Sequence, residues 1–278
     1  MARKAFIYGI NAGPAGSIYV NSPLGGCVDD GQDMADLLVS SCGFARSDIR
    51  LLFDGRATAA AIREHCLWLK EGMQAGDVLF KWGSSHGTLV SLRDAAGNVA
   101  SQHPSIVPVD FDWDDPTTWL TDVDFAALYK DIVAGVSFTW GCDACHSGTM
   151  ARDLRNGHGK PRFLPPPADI AWRNRTAAEA SLPMRDFAKA IEHLHGVFLG
   201  ACRADQTAAD ASINDHPCGA FTYSVRRALA EPNGRTLPMT DVVANCRTWL
   251  KGDGYEQEPQ IQGDPFHTGK PWLWSDVV

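Results

Sequence analysis

Val78-Leu79-Phe80-Lys81-Trp82-Gly83-Ser84-Ser85-His86-Gly87 decides the fold, together with its later counterpart Val136-Ser137-Phe138-Thr139-Trp140-Gly141-Cys142-Asp143-Ala144-Cys145-His146-Ser147-Gly148. Each stretch runs from apolar, β-prone residues into small ones, and a reactive side chain follows at once. Open α/β sheets place their chemistry at the carboxyl ends of strands, so two such strands side by side would bring His86 and Cys145 face to face. A cysteine with a histidine elsewhere in an intracellular chain is a candidate nucleophile and base.

Working outward, residues 4–10 (Lys4-Ala5-Phe6-Ile7-Tyr8-Gly9-Ile10) read as a buried strand, ended by the turn residues Asn11-Ala12-Gly13-Pro14. From Asp29, Met34, Leu37 and Leu38 recur at helical spacing, with Gly43 as the stop. A second strand is expected over 49–53. A helix capped by Thr58 follows to about Met73, and Asp77 opens the histidine strand. This β-α-β-α-β alternation predicts an α/β fold with a mostly parallel sheet and helices on both faces. Asp94-Ala95-Ala96-Gly97-Asn98 reads as a hairpin turn, 122–129 as a short helix and 136–142 as the cysteine strand. Residues 151–183 turn to Arg, Asn, Gly and the prolines 165 to 167, and read as a functional or mobile segment rather than core. A helix over 184–194, a strand over 197–202 and amphipathic helices over 219–230 and 240–250 follow. From Tyr255 to Trp274 the chain reads as extended and pinned by aromatics. No repeat or second domain is apparent, so 1–278 is expected to be one domain.

Composition narrows the function classes. The chain has 278 residues, 45% hydrophobic and 21% charged, with net charge −8 and no Lys/Arg cluster, so a nucleic-acid backbone has no electrostatic footprint to meet. The apolar start is too short for a signal segment and nothing approaches a membrane span; a cytoplasmic protein is expected. Eight cysteines, at 27, 42, 66, 142, 145, 202, 218 and 246, are too sparse for a secreted disulfide framework.

Each candidate has a plainer competitor. Most free cysteines are small buried hydrophobes, but a Cys-His-Ser-Gly turn past a strand is a poor place for passive packing. His86 could be structural, and His146 is a rival base; neighbouring residues in extended chain point to opposite sides, which favours His86 over His146. Cys142-Asp143-Ala144-Cys145 also fits C-x-x-C. The redox reading wants that pair opening a helix, and a zinc site wants a second pair.

Caspase signatures place a histidine about 50 residues before the cysteine; here His86 lies 59 positions upstream of Cys145 (145 minus 86). The chain more closely resembles the metacaspases and their bacterial relatives, the caspase-like cysteine peptidases of family C14. The resemblance runs in order through Cys27-Val28-Asp29-Asp30, Gly83-Ser84-Ser85-His86-Gly87, Asp143 to Gly148, Cys202-Arg203-Ala204-Asp205-Gln206-Thr207-Ala208-Ala209-Asp210, Gly219-Ala220-Phe221-Thr222-Tyr223 and Pro259-Gln260. It implies a caspase-like fold with a central, mostly parallel six-stranded sheet, divided into large-subunit-like 1–150, a basic linker 151–183 and small-subunit-like 184–278.

The resemblance further implies a cysteine endopeptidase cutting after Arg or Lys through Cys145 and His86, with backbone N–H groups of Gly87 and Cys145 as oxyanion donors. The acidic S1 pocket would comprise Asp30 and Asp143 with Ser84 and Cys27 beside them, and Asp205 is a further substrate-binding candidate. Two carboxylates on one guanidinium make charge-assisted bonds that a neutral residue cannot replace. For Asp30 the plainer reading is a helix N-terminal acid. Self-cleavage is expected in the linker, at Arg152, Arg155, Lys160, Arg162, Arg173 or Arg175. Calcium-dependent relatives carry an aspartate set after the histidine loop; here Asp122-Val123-Asp124 and His103-Pro104 stand there, so a strong calcium site is not expected and no other cofactor is implied. A monomer acting on protein or peptide substrates is expected. The alternative is a silent scaffold of the same fold that binds basic peptides.

Overall fold

The computed structural model describes residues 1–145, 159–174 and 195–273. In chain order the strands are β1 (Arg3–Gly9), β2 (Ile49–Phe53), β3 (Val78–Ser84), β4 (Gly87–Arg93), β5 (Val99–Ile106), β6 (Leu120–Thr121), β7 (Ser137–Asp143), β8 (Lys160–Pro161), β9 (Val197–Gly200), β10 (Ala209–Ile213), β11 (His216–Gly219) and β12 (Gln260–Gly263). Six of them form the central sheet, in the order β12-β9-β7-β3-β1-β2. All neighbours in it are parallel except β12 against β9. Two small sheets, β4-β5-β6 and β11-β10-β8, stand beside it.

The central strands are apolar throughout because both faces are covered. On one face Phe6, Tyr8, Leu79, Phe138 and Trp140 share an apolar cluster with side chains of the helices Ala59–Lys70 and Asp122–Tyr129. On the other, Ala5, Ile7, Phe80 and Trp82 share one with side chains of Cys27–Ser41, Ala220–Ala230 and Met239–Gly252. Trp82 stacks between Phe80 and Phe221, with centroids 6.0 and 5.5 Å away. Each large side chain so buried contributes about 1.5–3 kcal/mol. Lys81 breaks the apolar pattern of β3 while being fully buried.

Local signals explain the helix ends. Thr58 caps Ala59–Lys70 by accepting from Ala61 N at 3.2 Å, and Thr121 and Asp124 form a reciprocal capping box on Asp122–Tyr129. The helix expected from Asp29 starts at Cys27, where β1 and this helix touch at their backbones. A Cβ on Gly9 would lie 2.1 Å from the Cys27 carbonyl oxygen, so only glycine permits the approach.

Two expectations are corrected. The tail after Tyr255 forms the antiparallel edge strand β12 and a short helix, Pro265–Thr268, rather than plain extended chain. The segment over 151–183 is not wholly outside the core: Arg162, Phe163 and Leu164 are buried. The expected helix over 184–194 lies outside the described residues, as do His146, Ser147, Gly148, Arg152, Arg155 and Arg175. Among the described residues no helix is long and apolar enough to cross a membrane.

Candidate active site

β3 and β7 are neighbours, with Ser84 paired to Asp143. His86 and Cys145 each lie two residues further along, so the sheet's register brings both loops to one edge. Cys145 is fully buried; its Sγ accepts from Ala208 N at 2.5 Å and donates to Ala208 O at 3.3 Å. The Cys202 thiol, pushed well up by its hydrogen bond to Cys145 and by burial, lies beside it.

The imidazole is fixed by groups that sequence reasoning had no means of finding. His86 Nε2 is 2.9 Å from the Ser22 carbonyl oxygen. A carbonyl only accepts, so in the neutral ring Nε2 carries the proton and Nδ1, buried with no hydrogen-bond partner, keeps the lone pair. The His86 N–H donates to the Tyr19 hydroxyl at 3.2 Å, that hydroxyl donates to Val107 O at 2.7 Å, and the two rings lie 5.4 Å apart. Burial lowers the His86 pKa; the Ser22 carbonyl opposes this and the Arg162 charge reinforces it. Burial thus favours the neutral form of the ring.

Beside this pair lies an acidic pocket that is filled by the chain itself. Arg162, fully buried, is ion-paired through Nη1 with Asp30 at 2.8 Å and Asp143 at 3.2 Å, and donates through Nη2 to Asp210 at 3.0 Å. Each carboxylate is aimed by further donors. Asp30 accepts from Gly219 N at 2.8 Å, Asp143 from Thr222 N at 2.9 Å and Thr222 Oγ1 at 2.7 Å. Asp210 accepts from Gly25 N at 2.7 Å and Gly26 N at 3.0 Å. The helix N-terminal reading of Asp30 and the pocket reading coincide: it lies in the first turn of Cys27–Ser41 and also faces the guanidinium.

Burial pushes the Asp30 carboxyl up to about 7; the Arg162 charge pulls it down and the Asp143 charge pushes it up. For Arg162 burial works against the charge, but Asp143, Cys27, Asp30 and Asp210 overcome it and hold the guanidinium firmly protonated. Ser84 Oγ is buried without a hydrogen-bond partner, and Cys27 is fully buried with its N–H on Asn11 Oδ1 at 2.7 Å. Gly219 leaves the room: a Cβ there would lie 2.2 Å from Asp143 Oδ2 and 2.5 Å from Arg162 Nη1.

The backbone of Arg162 completes the arrangement. Its carbonyl accepts from Gly87 N at 2.9 Å and Cys145 N at 3.2 Å, and its N–H donates to Ala208 O at 3.0 Å. The N–H groups expected to serve an oxyanion thus converge on one carbonyl, beside the thiol and the imidazole.

Other candidates stand elsewhere. Asp205 is exposed and pairs with Arg203 at 3.0 Å; Asp210, five residues on, is the third carboxylate on Arg162. Lys160 is exposed in β8, and Arg173 pairs with Asp114 and Asp169. Asp122 Oδ1 lies 2.7 Å from His103 Nδ1, whose Nε2 is 2.8 Å from Ser101 Oγ, and Asp124 is committed to Thr121. Calcium takes six to eight oxygen ligands, and these donors do not fit it. Among the described residues no three His, Cys, Asp or Glu side chains converge on a metal site.

A thiol and an imidazole at adjacent strand ends, on a central sheet flanked by helices, define the class of caspase-like cysteine peptidases. The profile of the metacaspase, peptidase C14 domain, matches residues 3–154, and the chain belongs to that family. It is 27% identical to Metacaspase-9 of Arabidopsis thaliana over 85% of this chain and 87% of that one. It is 26% identical to Metacaspase-1 of Schizosaccharomyces pombe over 93% of this chain and 66% of that one. A solved protein from Geobacter sulfurreducens shares the fold, with a TM-score of 0.71 over 99% of both chains at 21% identity.

Proposed function

We propose that this chain is an endopeptidase cutting after Arg or Lys, with Cys145 as nucleophile and His86 as base, and that it processes itself between Arg162 and Phe163. The observation that supports this reading is the double engagement of Arg162, whose guanidinium fills the three-carboxylate pocket while its carbonyl takes both oxyanion donors. Asp30, Asp143 and Asp210, with Ser84 and Cys27 beside them, form the S1 site. An acidic P1 side chain would meet only repulsion there.

In the reaction, His86 Nδ1 takes the Cys145 proton and the sulfur attacks the Arg162 carbonyl carbon. The oxyanion is held by the N–H groups of Gly87 and Cys145. The C–N bond to Phe163 breaks as the imidazolium returns its proton to the leaving nitrogen. Water then adds to the thioester with His86 as base, releasing the Arg162 carboxylate and restoring the thiol. Before attack, Cys145 Sγ must swing from its bonds to Ala208 towards Nδ1.

Those resting bonds to Ala208 are what favours the second reading, a silent scaffold for basic peptides. Turnover of peptides with P1 Arg, P1 Lys and P1 Asp separates the two. An active peptidase cuts the first two only, and Cys145→Ala and His86→Ala each reduce the rate at least about 10³-fold, as loss of a nucleophile or its base does. Tight binding of the Arg peptide without turnover would establish the scaffold instead.

A further inference from the structure

Beyond Arg162 the chain is as carefully held as before it. Phe163 and Leu164 are each 5% exposed, although they lie in a stretch rich in charge and proline. They point into different surroundings. Phe163 belongs to the apolar cluster that contains Cys145 and Trp82, Leu164 to the one that contains Val90 and Ile106. The main chain is bound as well. Leu164 N donates to Gly87 O at 2.9 Å, and Thr88 Oγ1 donates to Leu164 O at 2.7 Å. Gly87 therefore brackets one residue, Phe163: its N–H donates to the Arg162 carbonyl before it and its C=O accepts from the Leu164 N–H after it.

We infer that the enzyme has two built apolar subsites on the leaving-group side, S1′ and S2′, and that its substrate class is Arg or Lys followed by two large apolar residues. This rests on Arg162 being the P1 residue. The main-chain bonds to Gly87 and Thr88 are blind to sequence, so they supply register. Selectivity comes from the side chains: burying a Phe or Leu is favourable, whereas an acidic or hydroxylated side chain would lose its hydration with no partner supplied in exchange. A large apolar side chain at each of two positions, against a small polar one, corresponds to about 10- to 100-fold in kcat/KM.

The test uses the full-length wild-type protein and four internally quenched peptides sharing Lys-Pro before P1: Arg-Phe-Leu, Arg-Phe-Ser, Arg-Asp-Ser and Ala-Phe-Leu. The expected order is Arg-Phe-Leu fastest, Arg-Phe-Ser intermediate and Arg-Asp-Ser at least 10-fold below the first, with Ala-Phe-Leu uncut. Equal rates for the three Arg peptides, with Ala-Phe-Leu still uncut, would overturn the primed subsites and leave the P1 reading standing. Cleavage of Ala-Phe-Leu at the rate of Arg-Phe-Leu would overturn the P1 reading, and no turnover of any peptide would overturn both. Thr88→Val is expected to slow the peptides that extend through P2′ while sparing a Lys-Pro-Arg aminocoumarin amide, which has no P2′ carbonyl. Equal slowing of both would contradict the Thr88 assignment.

Discussion

Among the described residues two cationic side chains, Arg162 and Lys81, are fully buried, and they are held in opposite ways. Arg162 meets three carboxylates, each already aimed by backbone or hydroxyl donors from other segments. Lys81 Nζ has no hydrogen-bond acceptor at all; it sits over the rings of Phe125, Trp140 and Tyr8, at 4.0, 4.3 and 5.3 Å from their centroids. The first arrangement is a socket whose walls persist when the occupant changes. The second is a single side chain trapped between sheet and helix, and nothing is organised to receive another in its place.

That difference predicts opposite signs when each cation is removed. Arg162→Ala leaves three buried carboxylates without a counter-charge, and breaking a buried ion pair from one side costs about 3–5 kcal/mol. Thermal unfolding should show the loss, and an Arg-containing peptide at many times its Kd should restore roughly 3–4 kcal/mol of it by mass action. A loss that no added cation restores would make Arg162 a structural residue like Lys81.

Lys81→Met should do the reverse, raising stability while leaving peptide turnover unchanged, because it replaces a desolvated ammonium by an apolar chain of similar length. Burial pushes the Lys81 pKa down to about 8, although Cys66 and Cys142 oppose the shift. Unfolded lysine titrates near 10.4, so between these values the unfolded chain binds more protons and wild-type stability rises with pH. The advantage of Lys81→Met, up to about 3 kcal/mol below pH 8, should therefore close between pH 8 and 10.5. A variant less stable than wild type at pH 7 would mean that the aromatic cage outweighs desolvation.

The smallest effect is on pH. With Arg162 seated, Asp30 titrates at about 7. A pocket without the guanidinium loses what pulls Asp30 down, so Asp30 takes up its proton more readily there, and kcat/KM for Arg substrates should fall on acidification, by at most tenfold per pH unit for one group. His86, lowered by burial, adds its own fall at more acid pH, where the base is protonated. Asp30→Asn should lower kcat/KM and leave only that more acid fall; a limb unmoved in Asp30→Asn would take it away from Asp30.

The sequence was most legible where a strand runs into its chemistry. β1, β3 and β7 announced themselves as apolar runs ending in small residues, and the pairing of β3 with β7 follows the expectation from which His86 and Cys145 were chosen. Asp30 and Asp143 were accessible only through the family resemblance, since no local pattern says that a helix-start acid and a strand-end acid converge. The Ser22 carbonyl was invisible because any residue type supplies a carbonyl, and only the loop's path brings it to the imidazole. Asp210 stood inside a recognised block, but nothing in that block distinguished it from Asp205. Arg162 looked like one more charge in a basic linker. Its burial depends on carboxylates 132, 19 and 48 positions away (162 minus 30, 162 minus 143 and 210 minus 162), a separation that composition and periodicity do not register.

If Arg162 is seated as a cleavable residue, intact-mass analysis with N-terminal sequencing of the incubated protein will show where the chain is cut. Two fragments are expected, one ending at Arg162 and one beginning at Phe163, absent in Cys145→Ala and in Arg162→Ala. A chain that stays whole, or is cut at another residue while the Arg162–Phe163 bond remains intact, would contradict that seating.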